Sequence, residues 1–285
     1  FHLIYHKYSA MFSFFSNFEK KMEFFATVNN IPLHISDTKR GDKTIVLLHG
    51  YLETLYIFQE FTPLLTAKGY RVISMDLPGH GLSGTNPDIN TIPFISNLVR
   101  SMLKEVCKVE QCILAGHSLG GYIAMDFIKR YPQMVSQLII LNSTPFPEPE
   151  GKEMDRKREM DLILSSKLHI MASMGIPKMY AEQNLRKCEE KIEETVEICD
   201  THDPAGIVAT IKGFIAREES VTALKEAKMP IKFICGDMDN FISNADAATI
   251  KEALPNVQCH TISGTGHNSF IEAPERVLEI ITAQD

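Results

Sequence analysis

The chain has 285 residues, 44% of them hydrophobic and 23% charged, with a formal net charge of −7. That length suits one large domain or a core carrying a small insertion. The acidic balance without a basic stripe speaks against a nucleic-acid partner, and no apolar run reaches the ~18 residues of a membrane span.

The cysteines at 107, 112, 188, 199, 235 and 259 are scattered, with no C-x-x-C pair. They read as reduced thiols of a cytoplasmic protein rather than as a disulfide framework or a zinc site. No P-loop, no G-x-G-x-x-G and no ligand-spaced His/Cys cluster is present, so neither metal nor cofactor is expected. The acidic run from Cys188 to Asp200 reads as a solvated helix face. Residues 1–21 are rich in Phe, Tyr, His and Lys and follow no helical or strand period. Met22 directly precedes the first clean strand pattern and reads as the natural start. The preceding residues then form a disordered or non-native extension, with a poor signal peptide as the alternative.

Met22 to Val28 and Ile31 to Ser36 flank Asn29-Asn30, a pair that tolerates positive φ, and are predicted to form a β-hairpin. After a polar turn, Thr44 to Leu48 is the continuous apolar run of a strand buried on both faces, and it ends in His49-Gly50-Tyr51. A helix over Phe58 to Lys68 and a strand over Tyr70 to Met75 complete a parallel βαβ unit. The loop Asp76 to Gly84, rich in Gly and Pro, is a turn of fixed shape. A helix over Ile92 to Cys107 leads to a strand over Gln111 to Gly116, then a helix over Leu119 to Arg130 closed by Pro132. Leu138 to Leu141 is the next strand. Strand signals then vanish until Ile231 to Cys235, with helical patterns over Asp155 to Met171 and Ala181 to Ile198. Asn244 to Ala253 and Pro274 to Ala283 read as helices, separated by a strand over Val257 to Ile262.

Between the strand ending at Gly116 and the helix beginning at Leu119 lies Gly116-His117-Ser118-Leu119-Gly120, a G-x-S-x-G pattern. A serine whose hydroxyl stands exposed at such a corner sits in strained backbone. Side chains two residues to either side would collide, which selects glycine at both. The helix N-terminus behind it offers free N–H groups where an oxyanion would form. An activated serine needs a base, and the base needs an acid to hold its tautomer. Downstream, one strand ends in Gly236-Asp237-Met238-Asp239 and the next in Ser263-Gly264-Thr265-Gly266-His267, both at the strand ends where open α/β sheets form their sites.

On HGY at 49–51, DLPGHGLSG at 76–84, GHSLGG at 116–121, CGDMD at 235–239 and GTGHNSFIEAPE at 264–275, the chain resembles the α/β-hydrolase fold superfamily. The resemblance runs from about Glu23 to the C-terminus. It lies with the small single-domain branch of esterases, enol-lactonases, C–C bond hydrolases and cofactor-free haloperoxidase-like enzymes. It implies a mostly parallel eight-stranded sheet with helices on both faces and an inserted helical cap. The core would comprise residues 22–145 and 222–285, and the cap, or lid, residues 146–221. It implies Ser118 as nucleophile, His267 as general base and Asp239 as the orienting acid, with Asp237 as the rival. The backbone N–H groups of Tyr51 and Leu119 would form the oxyanion hole.

His49, Gly50, Glu53 and His117 are candidate pocket residues. His49, His80 and His117 are also read as makers of turn hydrogen bonds, and Glu53 as either a pocket-entrance residue or a solvated loop carboxylate. Asp76 is expected to tie its loop to backbone N–H groups, and His169 and His202 to lie on the surface of the cap. The cap methionines (154, 160, 171, 174, 179) suit either an adaptable pocket or ordinary packing. Ser118 excludes the alkyl-ester chemistry of relatives with Asp at that position. The expected activity is hydrolysis of a small carboxylic ester, lactone or related acyl compound. The alternatives are a lyase using the same triad, as in the menaquinone pathway, and a small-ligand receptor with vestigial turnover.

Overall fold

A computed structural model describes residues 22–85 and 88–283 of the chain. The expectation for residues 1–21 falls outside them. The sheet comprises β1 (Met22–Val28), β2 (Ile31–Asp37), β3 (Lys43–Leu48), β4 (Tyr70–Met75), β5 (Cys112–His117), β6 (Val135–Leu141), β7 (Ile231–Gly236) and β8 (Gln258–Ile262). Its order is β1-β2-β4-β3-β5-β6-β7-β8. The first hairpin is antiparallel and β2 runs antiparallel to β4. Every later pairing is parallel. Asn29 and Asn30 turn the hairpin at φ 49° and 65°, the backbone that Asn accepts more readily than most residues.

The central strands are continuous apolar runs because both their faces are covered. Along β3, Val46 and Leu48 pack into one cluster and Ile45 and Leu47 into the other. The first cluster joins the sheet to α2 (Ile92–Ser101), α3 (Leu119–Arg130), α8 (Val221–Glu226) and α9 (Asn244–Ala253). The second joins it to α1 (Phe61–Ala67) and α10 (Pro274–Thr282). The expected helix over Phe58 to Lys68 is instead a 3₁₀ turn (Leu55–Phe58) followed by α1, and the expected long helix after Ile92 passes into a π-helical turn at Met102–Val106.

Between β6 and β7 lies a helical insert: α4 (Glu153–Leu164), α5 (Leu168–Gly175), α6 (Glu189–Ile198) and α7 (Pro204–Ile215). The helix anticipated over Asp155 to Met171 breaks at Ser166, which adopts φ 58°. The pattern over Ala181 to Ile198 holds a helix only from Glu189 on. The insert has its own apolar core, in which Ile163, Ala172, Ile176, Tyr180, Ile207 and Ile211 pack around Leu52 of the loop after β3.

Leu114 of β5 is fully buried between strands. Leu114→Ala should cost about 2–5 kcal/mol of unfolding free energy in urea titration, and a loss below about 1 kcal/mol would contradict the packed centre described here.

Candidate active site

At the end of β5 the chain turns sharply into α3 through Ser118, whose φ of 50° and ψ of −112° lie outside the favoured regions. A Cβ on Gly116 would stand 2.2 Å from the Gly120 carbonyl oxygen, and one on Gly120 would stand 2.1 Å from that of Leu48. The two glycines are therefore required by close approach. Ser118 is half-buried between fully buried neighbours. Its N–H donates to the Leu141 carbonyl, and its own carbonyl accepts the Gly121 N–H and the Ser143 hydroxyl.

His267 stands on the loop after β8, with Nδ1 2.9 and 3.0 Å from the two carboxylate oxygens of Asp239 on the loop after β7. Asp239 Oδ1 also accepts the backbone N–H groups of Phe241 and Ile242, and its Oδ2 accepts Asn142 Nδ2 at 2.9 Å. Burial works against its charge, but His267 and these donors outweigh that and hold the carboxyl below its ordinary range. Asp237 points elsewhere, accepting the Ser263 hydroxyl and the Gly264 N–H, so the structure brings Asp239 and not Asp237 to the histidine. Asn142, itself at φ 48°, also donates to the Gly266 carbonyl and accepts the Ser269 hydroxyl. It follows directly on β6, next to the residue that bonds Ser118.

The loop after β3 reaches the same corner. Gly120 N–H donates to the His49 carbonyl at 3.0 Å, which holds the start of α3 against the loop that carries Gly50 and Tyr51. Leu119 opens that helix, so its N–H has no carbonyl one turn earlier to bond. Aromatic rings meet nearby: Phe214 of α7 stands edge-on to Tyr51 at 5.2 Å and to Tyr122 at 6.2 Å, and Phe241 lies 4.9 Å from the His267 ring. Arg156 covers the Phe214 ring and Arg217 the Tyr122 ring. Both arginines are paired with Glu148, and Arg156 also with Glu159, so neither leaves an uncompensated charge on the rings it covers.

Two expectations need correction. Glu53 is neither a solvated loop carboxylate nor at a pocket entrance. It is fully buried, and its Oε2 accepts the Gly50 N–H at 2.7 Å and pairs with His117 Nδ1 at 2.9 Å. His49 and His117 are also buried, and both make internal hydrogen bonds, the structural one of their two readings. His49 Nδ1 donates to the Gly50 carbonyl and its Nε2 accepts the Leu77 N–H. His202 is not on the surface either: it is 5% exposed, and its Nδ1 accepts the Gly81 N–H. His169 does lie exposed, near Asp200. Asp76 accepts the backbone N–H groups of Leu55 and Leu82, tying its loop as anticipated.

Sequence reasoning missed Asn142, and it also missed Glu272, whose Oε1 accepts the Gly266 N–H while Oε2 accepts Ala181 N–H and Asn184 Nδ2 of the insert. The only signal for Glu272 was its place inside the GTGHNSFIEAPE stretch.

A sequence model of the alpha/beta hydrolase fold matches residues 43–274. The uncharacterized hydrolase YugF of Bacillus subtilis (strain 168) is 26% identical over 253 residues, which span 85% of this chain and 89% of that protein. The pimeloyl-[acyl-carrier protein] methyl ester esterase of Aeromonas hydrophila is 26% identical over 251 residues, 83% of this chain and 93% of its own. Among solved structures, a thermophilic esterase from Thermogutta terrifontis superposes with a TM-score of 0.84 at 23% identity, covering 91% of this chain and 96% of that one.

His49, His80 and His202 form a buried row, with ring centroids 5.3 and 5.2 Å apart, that runs from the core to the insert. Burial pushes His80 well below the ordinary histidine value and His202 down to about 4. The native state therefore keeps His202 neutral while the unfolded chain takes up a proton below pH ~6.5. Stability is fully present above that pH and is lost as the pH falls toward about 4. His202 alone should cost up to about 3 kcal/mol across this window. His202→Gln should accordingly lose less of its thermal midpoint between pH 7 and pH 5 than the wild type; equal losses would refute the buried neutral imidazole.

Proposed function

The chain belongs to the alpha/beta hydrolase fold family and is a hydrolase, and from that premise we propose that it cleaves a small carboxylic ester, lactone or related acyl compound. The observation that carries this reading is the Asp239–His267 pair, whose histidine carbonyl is bonded by His117, the residue before a serine held at positive φ on a strand-to-helix corner. The naming of the Aeromonas relative as a methyl ester esterase supports the same reaction class.

In this reading Ser118 Oγ attacks the substrate carbonyl as His267 Nε2 takes its proton. The Tyr51 and Leu119 N–H groups receive the developing oxyanion, each worth roughly 3–4 kcal/mol to the transition state. Collapse of the tetrahedral intermediate expels the alcohol, protonated by His267, and leaves an acyl-enzyme. Water, activated by the same histidine, then releases the acid. Asp239 holds the Nδ1–H tautomer and steadies the imidazolium that forms at each proton transfer.

The insert, residues 146–221, is the lid over this site, and Tyr51, Tyr122, Phe214 and Phe241 are its apolar walls. A neutral acyl group suits these walls, because the arginines covering them are already neutralised by Glu148 and Glu159. All six cysteines are free thiols and five are buried, which fits a reducing, cytoplasmic setting.

A fluorophosphonate probe should label Ser118, as read by peptide mass spectrometry, and the enzyme should turn over p-nitrophenyl acetate and butyrate. Ser118→Ala should lose the label and at least about 10³-fold in kcat/KM while keeping its circular dichroism spectrum. Retained hydrolysis in that variant would sink the nucleophile assignment. Label without turnover of any small ester would sink the ester-hydrolase reading.

A second consequence concerns Asp239. Asp239→Asn keeps the shape but reverses the hydrogen-bond preference at His267 Nδ1, so kcat should fall by about 10³–10⁴-fold. A loss below tenfold would point to a different orienting acid.

A further inference from the structure

We propose that Glu53 and His117 form a buried carboxylate–imidazolium pair that positions both halves of the reacting centre, the His267 backbone and the Gly50–Tyr51 loop. The inference rests on the reading of Ser118, His267 and Asp239 given above.

The hydrogen bonds fix the protons. His117 Nε2 stands 3.0 Å from the backbone carbonyl oxygen of His267, which can only accept, so Nε2 carries hydrogen. His117 Nδ1 stands 2.9 Å from Glu53 Oε2, which also receives the Gly50 N–H at 2.7 Å. The proton between Nδ1 and Oε2 therefore resides either on nitrogen, giving an ion pair, or on oxygen, giving a neutral acid and a neutral imidazole. An oxygen that already accepts a backbone N–H is better served as a carboxylate than as a hydroxyl, and the attraction between the opposite charges favours the same choice. Burial opposes charge on both groups, yet each is held on its charged side: His117 above its ordinary value by Glu53, and Glu53 below its own by His117 and the Gly50 N–H. Both side chains are fully buried. The titratable neighbours are His49, His267 and Asp239 around His117, and His49, Tyr180 and Cys199 around Glu53.

The geometry gives the pair a task. His117 immediately precedes Ser118, so its ring is anchored to the same corner that presents the nucleophile. One N–H of the imidazolium holds the carbonyl of His267, and the other holds the carboxylate that grips Gly50, next to Tyr51. One charged pair thus sets the spacing among nucleophile, base and oxyanion donor without touching substrate. Glu53 and His117 are positioning residues.

Glu53→Gln preserves shape and removes the charge. With the amide oxygen at the Oε2 position, the Gly50 bond survives and His117 loses its counter-charge; with the amide nitrogen there, the His117 contact survives and two N–H groups face each other at Gly50. Either way one bond of the chain from Gly50 through His117 to the His267 carbonyl is lost, because an amide nitrogen cannot accept and a neutral imidazole has one hydrogen for two acceptors.

The test has two readouts. In ¹⁵N-histidine-labelled protein at pH 8, where an ordinary histidine is neutral, the wild type should show an imidazolium ring signal, with both nitrogens protonated, that is missing from Glu53→Gln. Steady-state kinetics on p-nitrophenyl butyrate should show kcat down by about 10- to 100-fold with little change in KM. Glu53→Asp, which keeps the charge, should retain the signal and recover most of kcat.

Absence of any imidazolium signal in the wild type at pH 8 overturns the pair, whether or not the variants fold. A folded Glu53→Gln with wild-type kcat overturns the positioning role, as does a folded Glu53→Asp no better than Glu53→Gln. Hydrolysis retained by Ser118→Ala would instead overturn the reading of the reaction while leaving the protonation result to stand or fall on its own.

Discussion

The close approach of the β5–α3 corner to the end of β3 is the constraint on which the rest of the site depends. Gly120 lies so near the Leu48 carbonyl that no side chain fits, and its N–H bonds the next carbonyl along, that of His49. This contact sets two loops from distant parts of the sequence side by side, one carrying Ser118 and Leu119, the other Gly50 and Tyr51. It also strains Ser118 into positive φ, a cost of order 1–3 kcal/mol that the surrounding sheet must offset. The offset is visible in the two apolar clusters that bury the strands on both faces, and in Ser143 and Leu141, which bond the serine backbone from β6 and its loop.

Polar groups then complete what the backbone begins, and Asp239, Asn142 and Glu272 among them are held by several partners each. Asp239 accepts from His267, Asn142 and two backbone N–H groups, so its charge is spread over several donors and its orientation is fixed. Fixed dipoles of this kind need no rearrangement when charge develops on a substrate. The same low-dielectric setting makes each partner expensive to remove, since the group left behind has no water to turn to.

The features legible in the sequence are those carried by local pattern. Continuous apolar runs marked the central strands because those strands have no solvent face. The G-x-S-x-G corner, Asn29-Asn30 and the bounds of α3 and α9 were readable because sterics and capping act within a few residues. The misread positions depend on partners far along the chain. Glu53 is buried only because His117, 64 residues later, meets it; in sequence it is one more acidic loop residue. His202 looked exposed because it lies in a polar stretch of the insert, yet it caps the Gly81 N–H across 121 residues. The break at Ser166 carried no Gly or Pro to announce it, and the 3₁₀ turn at Leu55–Phe58 replaces helix where Thr54 caps the segment through its side chain.

The insert is tied to the loop bearing His267 by a set of hydrogen bonds. Glu272 follows His267 by five residues and joins the Gly266 N–H to Ala181 and Asn184 of the insert. Asn184 and Gln183 also donate to the Gly264 carbonyl, and the Asn268 N–H bonds the Met179 carbonyl. The loop bearing His267 is therefore held on one side by Asn142 and His117 of the core, and on the other by residues 179–184 of the insert. Its backbone cannot follow the insert without breaking bonds to the core, nor stay behind without breaking bonds to the insert. Elsewhere in the insert, α4 and α5 carry exposed Met154, Leu164, Ile170 and Met174, which have little packing to lose. The chain in this way separates the part of the insert that fixes the histidine loop from the part that leaves apolar side chains exposed.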